Sequence, residues 1–108
     1  MTFDDYQMAA RRTALYPDQH SVTYTALGLA SEAGEVAGKV KKVLRDHGGD
    51  FGPDQVSAIR DELGDVLWYV AMLAADLGLS MDDLAANNLE KLRSRLERGV
   101  IGGQGDQR

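Results

Sequence analysis

Apolar side chains recur every three or four residues along most of the chain, which is the spacing of an amphipathic helix. No segment has the alternating polar and apolar pattern of a strand bounded by hairpin signals. Proline or glycine residues interrupt the helical pattern at each connection. The sequence therefore predicts an all-α fold with four helices, over residues 3–15, 22–46, 53–77 and 80–98.

Each of the last three predicted helices carries an apolar stripe, which we expect to face a common core. The stripe of the second helix is made mostly of alanine, which favours close helix packing. In chain order, the three stripes are Ala26, Ala30, Ala33, Ala37, Val40 and Leu44; Ile59, Leu63, Val66, Val70, Leu73 and Leu77; and Leu84, Leu89, Leu92 and Leu96. Trp68 lies almost opposite the stripe of its helix, so we expect it to contact another copy of the chain.

A length of 108 residues is that of a single domain. We divide the chain into a helical domain over 1–98 and a glycine-rich tail over 99–108, which has no periodicity and is expected to be disordered. A domain this short buries only about two-thirds of the surface that its unfolded chain exposes. We therefore expect a four-helix-bundle-like protomer that is completed by oligomerisation.

Charge and composition exclude several functions. The formal net charge of −5 argues against nucleic-acid binding, which needs a basic surface. The absence of cysteine excludes disulfides and thiolate metal sites and fits a reducing compartment, while two histidines make a zinc site improbable. No signal peptide is recognisable, and no apolar run approaches the roughly 20 residues that span a bilayer. We expect a cytoplasmic protein with no membrane partner.

Two pairs of acidic residues suggest a metal site. Glu32 and Glu35 are three residues apart in the second helix, and Glu62 and Asp65 are three apart in the third. Residues at this spacing share a helix face. If the two pairs faced each other, their charges would repel, and a bound divalent cation would remove that repulsion. The pattern predicts a site for Mg²⁺, or alternatively Mn²⁺, whereas the competing interpretation is four solvated charges paired with nearby lysine or arginine.

A cationic face runs along the fourth helix. From Lys91 to the C-terminus the acidic protein has five lysine or arginine residues against two acidic ones. Lys91 and Arg95 share this face with Asn88 and are candidates for binding phosphate. The alternative is that the cations only offset the dipole at the end of the helix. Backbone N–H groups of the glycine-rich tail offer a further candidate for wrapping a phosphate.

Four segments carry a resemblance to a known family: EAGE in the second helix, ELGDVLWY in the third, NLEKLRSR in the fourth and GQGDQR at the end. Together they resemble the MazG-like nucleotide pyrophosphohydrolases, which belong to the all-α nucleoside triphosphate pyrophosphatase superfamily. The resemblance implies a catalytic, Mg²⁺-binding set made of Glu32, Glu35, Glu62 and Asp65. It also implies phosphate-binding roles at Lys39, Lys42, Asn88 and Lys91, with Arg95 as a weaker correspondence.

The reaction implied by this resemblance is Mg²⁺-dependent hydrolysis of a nucleoside triphosphate to the monophosphate and pyrophosphate, by a homodimer or homotetramer. Two alternatives stay open. One is a related all-α enzyme specific for dUTP, dCTP or phosphoribosyl-ATP, and the other is a non-catalytic nucleotide-binding dimerisation module. A carboxylate-bridged di-iron bundle is disfavoured, because such sites use Glu-x-x-His pairs and neither histidine follows a glutamate by three residues.

Overall fold

A computed structural model describes the whole chain, residues 1–108, and contains four helices and no strand. The helices are α1 (Phe3–Arg11), α2 (Ser21–His47), α3 (Pro53–Asp76) and α4 (Met81–Glu97). The prediction of an all-α fold is confirmed. The bounds of α2, α3 and α4 agree with the predicted ones to about one residue, whereas α1 ends earlier than predicted.

The early end of α1 at Arg11 follows from a contact with α3. The backbone N–H of Thr13 bonds to the carbonyl of Ala10, three residues earlier, which closes a turn. The Thr13 hydroxyl donates to the same carbonyl and accepts a hydrogen bond from Trp68 Nε1 on α3, at 2.8 Å. A tertiary contact therefore holds a turn where the apolar pattern alone continues the helix.

α2 and α3 form an antiparallel hairpin, which is the most extensive helix pairing in the chain. α2 ends at His47 and is capped by Gly48, whose positive φ of 59° is a conformation that glycine adopts readily. Pro53 begins α3, where its missing N–H would have no helical partner in any case. Because the two helices run in opposite directions, Lys39 of α2 meets Glu62 of α3, and the two acidic pairs lie at neighbouring levels of the hairpin.

The buried core lies where α1 crosses α3 and α4 begins, and its members are Ala10, Ala71, Met72, Ala74 and Met81. Trp68 packs against this core from α3 and makes edge-to-face contacts with Tyr16 and Tyr69. Trp68 is therefore part of the intramolecular packing, because α1 covers the side of α3 that the apolar stripe leaves free.

α1 also holds the corner between α3 and α4, whose axes differ by 104°. The Gln7 side-chain amide donates to the carbonyls of Ala71 and Leu79, one on each side of the corner. The Asp4 carboxylate accepts a hydrogen bond from the Ser80 hydroxyl at the start of α4. α1 thus fixes the direction in which α4 leaves α3. No single helix is long and apolar enough to span a membrane; only α3 and α4 joined across this bend have the length and composition.

The predicted apolar stripes are largely uncovered in the single chain, in which only eight of 108 residues are buried. α2 packs on α3 through the face that carries Glu32, Lys39 and Val43, so most of its alanine stripe points away from α3 and is exposed. The stripe of α4 is exposed too, with Leu89 at 67% and Leu96 at 70%. The stripes of α2 and α4 therefore do not meet in a core within the single chain, and completion of the bundle by oligomerisation stays a prediction.

Residues 99–108, which we call the C-terminal loop, fold back against α4. The Arg98 guanidinium donates to the main-chain carbonyl of Arg108 at 2.7 Å, and the Arg108 guanidinium donates to the carbonyls of Ile101 and Gly105. Three glycines of the loop have positive φ, which residues with a Cβ rarely adopt: Gly99, Gly103 and Gly105. The expectation of a disordered end is wrong, since the glycines allow the loop to close on itself.

Candidate metal centre

Three of the four predicted carboxylates converge between α2 and α3. Glu32 comes from α2, and Glu62 and Asp65 come from α3, and oxygen atoms of the three carboxylates lie within 4.8 Å of one another. The three-residue spacing on α3 places both of its carboxylates toward α2. The antiparallel pairing then brings Glu32 to the same level. We call this group the acidic triad.

The electrostatics of the acidic triad favour a bound cation. Partial desolvation, followed by the negative charge of Asp65 and then that of Glu62, raises the pKa of Glu32 above its usual range. Lys39 Nζ lies 3.2 Å from a Glu62 oxygen, so one ammonium offsets three carboxylates. The converging donors are all carboxylate oxygens, the ligands that Mg²⁺ and Mn²⁺ prefer. The residues present therefore fit a hard divalent cation.

Glu35 stands apart from the acidic triad. It is exposed on α2, one turn beyond Glu32, and its carboxylate is not among the converging group. Its charge still contributes to raising the pKa of Glu32. A role for Glu35 as a fourth ligand stays a prediction.

The two predicted basic residues of α2 lie between the acidic triad and the connection that joins α2 to α3. Lys39 pairs with Glu62, as described above. Lys39 and Lys42 also line a pocket of about 220 Å³ together with His47 and Gln55, whose side chains are 3.3 Å apart. The two lysines follow α2 from the acidic triad toward its C-terminus, and Asp54 lines the same pocket from α3.

The three predicted phosphate-binding residues of α4 do not meet the acidic triad within one chain, because α4 makes no packing contact with α2. Asn88 and Lys91 line a separate pocket of about 580 Å³ that opens at the start of α4. The Arg95 side chain is only 6% exposed and donates to Asp106 of the C-terminal loop. Their roles toward phosphate stay predictions.

Three residues next to the acidic triad were not identified from the sequence as site residues. Thr13, Trp68 and Tyr69 line a cavity of about 370 Å³ together with Glu32 and Asp65. Desolvation raises the pKa of Tyr69, and the charges of nearby Tyr24, Glu32 and Asp65 add to that effect. Tyr69 follows Asp65 by four residues, so helical spacing could have identified it. Thr13 carries no such signal, because only the packing of α1 on α3 places it there.

These features define a class of protein, an all-α chain whose helical hairpin presents converging carboxylates suited to a hard divalent cation. Residues 20–100 match the model of the MazG nucleotide pyrophosphohydrolase domain family. The match includes the acidic triad and all of α4, and the chain belongs to this family. The resemblance drawn from the four sequence segments is therefore confirmed.

One relative is similar over its full length. The "Gene 37 protein" of Mycobacterium phage L5 is 46% identical over 114 aligned positions, which cover the whole of both chains. Its name states no activity. No solved structure matches this chain.

Proposed function

We propose that this protein is a Mg²⁺-dependent nucleoside triphosphate pyrophosphohydrolase, which converts a ribo- or deoxyribonucleoside triphosphate and water to the monophosphate and pyrophosphate. We expect Mn²⁺ to substitute for Mg²⁺ and the protein to act in the cytoplasm. The observation that carries the proposal is the convergence of Glu32, Glu62 and Asp65 in a chain of the MazG family. The acidic triad supplies oxygen ligands where a triphosphate needs a bridging dication.

The residues around the acidic triad suit the other parts of this reaction. A Mg²⁺ ion held there would neutralise phosphate charge and lower the pKa of a bound water. One carboxylate of the acidic triad would accept the proton of an attacking water. Lys39 and Lys42 line a path on which the departing pyrophosphate would be stabilised. The aromatic cavity beside Trp68 has room for the nucleoside.

A second copy of the chain is needed to bring the α4 cations to the acidic triad. Within one chain, α2 and α4 do not contact each other, so Asn88 and Lys91 cannot reach the triad side of the hairpin without a rearrangement. The leucines of α4 and the alanine stripe of α2 are both exposed and apolar, and each lacks a partner in the single chain. We propose that α4 of one copy packs on the hairpin of another, which gives a homodimer or homotetramer with composite sites.

Composite sites predict that two inactive variants restore each other. We expect Asp65→Asn to lower turnover by about a hundredfold or more and Lys91→Ala to reduce it strongly. Mixed under conditions that allow subunit exchange, the two chains should recover roughly a quarter of wild-type activity, since a two-fold dimer of unlike chains keeps one intact site. Steady-state turnover of the mixture measures this recovery.

The matched control mixes Asp65→Asn with Glu62→Gln. Both substitutions lie in the acidic triad, so every site in that mixture is damaged and no recovery is expected. If hetero-oligomers form but the Asp65→Asn and Lys91→Ala mixture stays inactive, each site is contained in one chain and the composite arrangement is refuted.

The reaction itself is tested with a panel of ribo- and deoxyribonucleoside triphosphates in Mg²⁺, including dUTP and dCTP, and with phosphoribosyl-ATP. The products are resolved by ion-exchange chromatography. We expect monophosphate and pyrophosphate in equal amounts, and we expect both to disappear when EDTA is added, because the carboxylates alone cannot neutralise the triphosphate. Diphosphate and phosphate, or turnover that persists in EDTA, would contradict the proposal, while no product from any substrate would favour a binding module.

A further inference from the structure

The C-terminal loop meets α4 at the cations proposed to bind phosphate. One oxygen of the Asp106 carboxylate lies 3.0 Å from Lys91 Nζ and 3.0 Å from Arg95 Nη2. The same Arg95 nitrogen also donates to the main-chain carbonyl of Asp106, at 2.8 Å. Lys91 and Arg95 are four residues apart on one helix face, where like charges repel. Asp106 bridges the two cations and removes that repulsion.

The two cations differ in what they still offer to a ligand. The Arg95 side chain is 6% exposed and its hydrogen bonds go to the loop, so it anchors the loop rather than facing solvent. The Lys91 side chain is 40% exposed, and Asp106 is its single hydrogen-bond partner. An ammonium has three donors. Two donors of Lys91 therefore remain for a ligand while Asp106 holds the third.

Several hydrogen bonds hold the C-terminal loop against α4. Arg98 and Arg108 close it through hydrogen bonds to main-chain carbonyls, and three of its glycines have positive φ. Hydrogen bonds from Lys91 and then Arg95 lower the pKa of Asp106 below its usual range, so it is ionised at neutral pH. The loop supplies the hydrogen-bond partners of the Arg95 guanidinium, so displacing the loop would break these bonds. These contacts indicate that the C-terminal loop stays in place and is not displaced when substrate binds.

We propose that the C-terminal loop supports the phosphate site through one residue, Asp106, a positioning residue that holds the Lys91 ammonium toward a substrate phosphate, with Arg95 as its anchor. This inference rests on the proposed function, because it takes Lys91 as a phosphate ligand. It assigns a purpose to the GQGDQR segment, whose side-chain hydrogen bonds go to α4, to Arg98 and to the rest of the C-terminal loop.

The inference is tested by titrating inorganic tripolyphosphate in Mg²⁺ into wild type, Asp106→Asn, Lys91→Ala and the double variant, with calorimetric detection. We expect Asp106→Asn to weaken binding by about tenfold, the size of one lost charge-assisted hydrogen bond. In the Lys91→Ala background, Asp106→Asn should cause little further loss, because it acts through Lys91. Asp106→Glu should recover part of the affinity, and Gln107→Ala, an exposed neighbour without a side-chain bond, should match wild type.

The outcomes separate this inference from the proposed reaction. Asp106→Asn that binds tripolyphosphate as well as wild type refutes positioning, and tighter binding shows instead that the loop competes with phosphate. Equal losses in the wild-type and Lys91→Ala backgrounds show a general structural effect and also overturn the inference. If wild type binds tripolyphosphate but hydrolyses no nucleotide, the proposed reaction fails while the role of Asp106 stands. If wild type does not bind tripolyphosphate, Lys91 is not a phosphate ligand and the inference fails.

Discussion

Asp65→Asn should reduce turnover of the preferred nucleotide by on the order of a hundredfold or more, because a bound dication contributes several kcal/mol of charge stabilisation in the transition state. The amide replaces an anionic ligand of the acidic triad with a neutral one of the same size. The helical circular dichroism signal should not change, since Asp65 is exposed and makes no hydrogen bond that holds the fold. Stopped or continuous assays of pyrophosphate release measure the loss.

The same variant should also lose metal binding, which is measured without turnover. Trp68 is the sole tryptophan of the chain and lines the cavity that Glu32 and Asp65 share. Its fluorescence should therefore respond to Mg²⁺ or Mn²⁺ in wild type, and the response should require much higher metal concentrations in Asp65→Asn.

The matched control is Asp61→Asn, which changes the same chemical group one turn earlier on α3. Asp61 is exposed and lies outside the acidic triad, with Arg60 as its nearest cation at 3.8 Å. We expect wild-type turnover and metal response. Loss of activity in both variants would show that α3 tolerates no such change, and full activity of Asp65→Asn would remove Asp65 from the metal site.

Gly28→Ala should destabilise the protein, although alanine is the better helix former. A Cβ at Gly28 would overlap the ring of Tyr69, which lies flat against α2 at this point. Forcing extra volume into a packed contact costs about 1–3 kcal/mol. The displaced ring lines the cavity next to the acidic triad, so turnover should fall as well, by roughly ten- to hundredfold. Urea denaturation gives the free energy of unfolding, and the nucleotide assay gives the turnover.

Gly64→Ala provides the control, because Gly64 is also within a helix and a Cβ there would meet nothing within 4 Å. The expected change has the opposite sign, a gain of up to about 1 kcal/mol from helix propensity. If both alanine variants were stabilised, the contact between Gly28 and Tyr69 would not constrain the hairpin, and its importance for the site would be refuted.

Much of the site could be predicted because its signals are local. Glu62 and Asp65 share a face by helical spacing alone, and proline and glycine mark the ends of α2 and α3. The family resemblance then predicted that the two acidic pairs form one site. Helical spacing alone does not settle the position of Glu35. It places Glu35 on the same helix face as Glu32, but does not decide whether the Glu35 carboxylate reaches the acidic triad.

The remaining features depend on packing between distant segments, which the apolar pattern cannot specify. The alanine stripe of α2 has the spacing of a core face, yet α3 packs on the neighbouring face, which carries Glu32 and Lys39. Thr13 joins the site because Trp68 holds a turn 55 residues away in sequence. The contacts of Asp106 with Lys91 and Arg95 were not predicted, because the glycines around Asp106 are typical of a disordered segment.

Because α1 holds the 104° corner between α3 and α4, it also influences the position of Lys91 on α4. A helix of the length of α4 extends for about 25 Å, so a change of ten degrees at its start moves its far end by roughly 4 Å. Gln7 and Asp4 set that angle through their bonds to the corner. We therefore expect substitutions of Asp4 or Gln7 to change the direction of α4 and to move Lys91, while Glu32, Glu62 and Asp65 keep their positions.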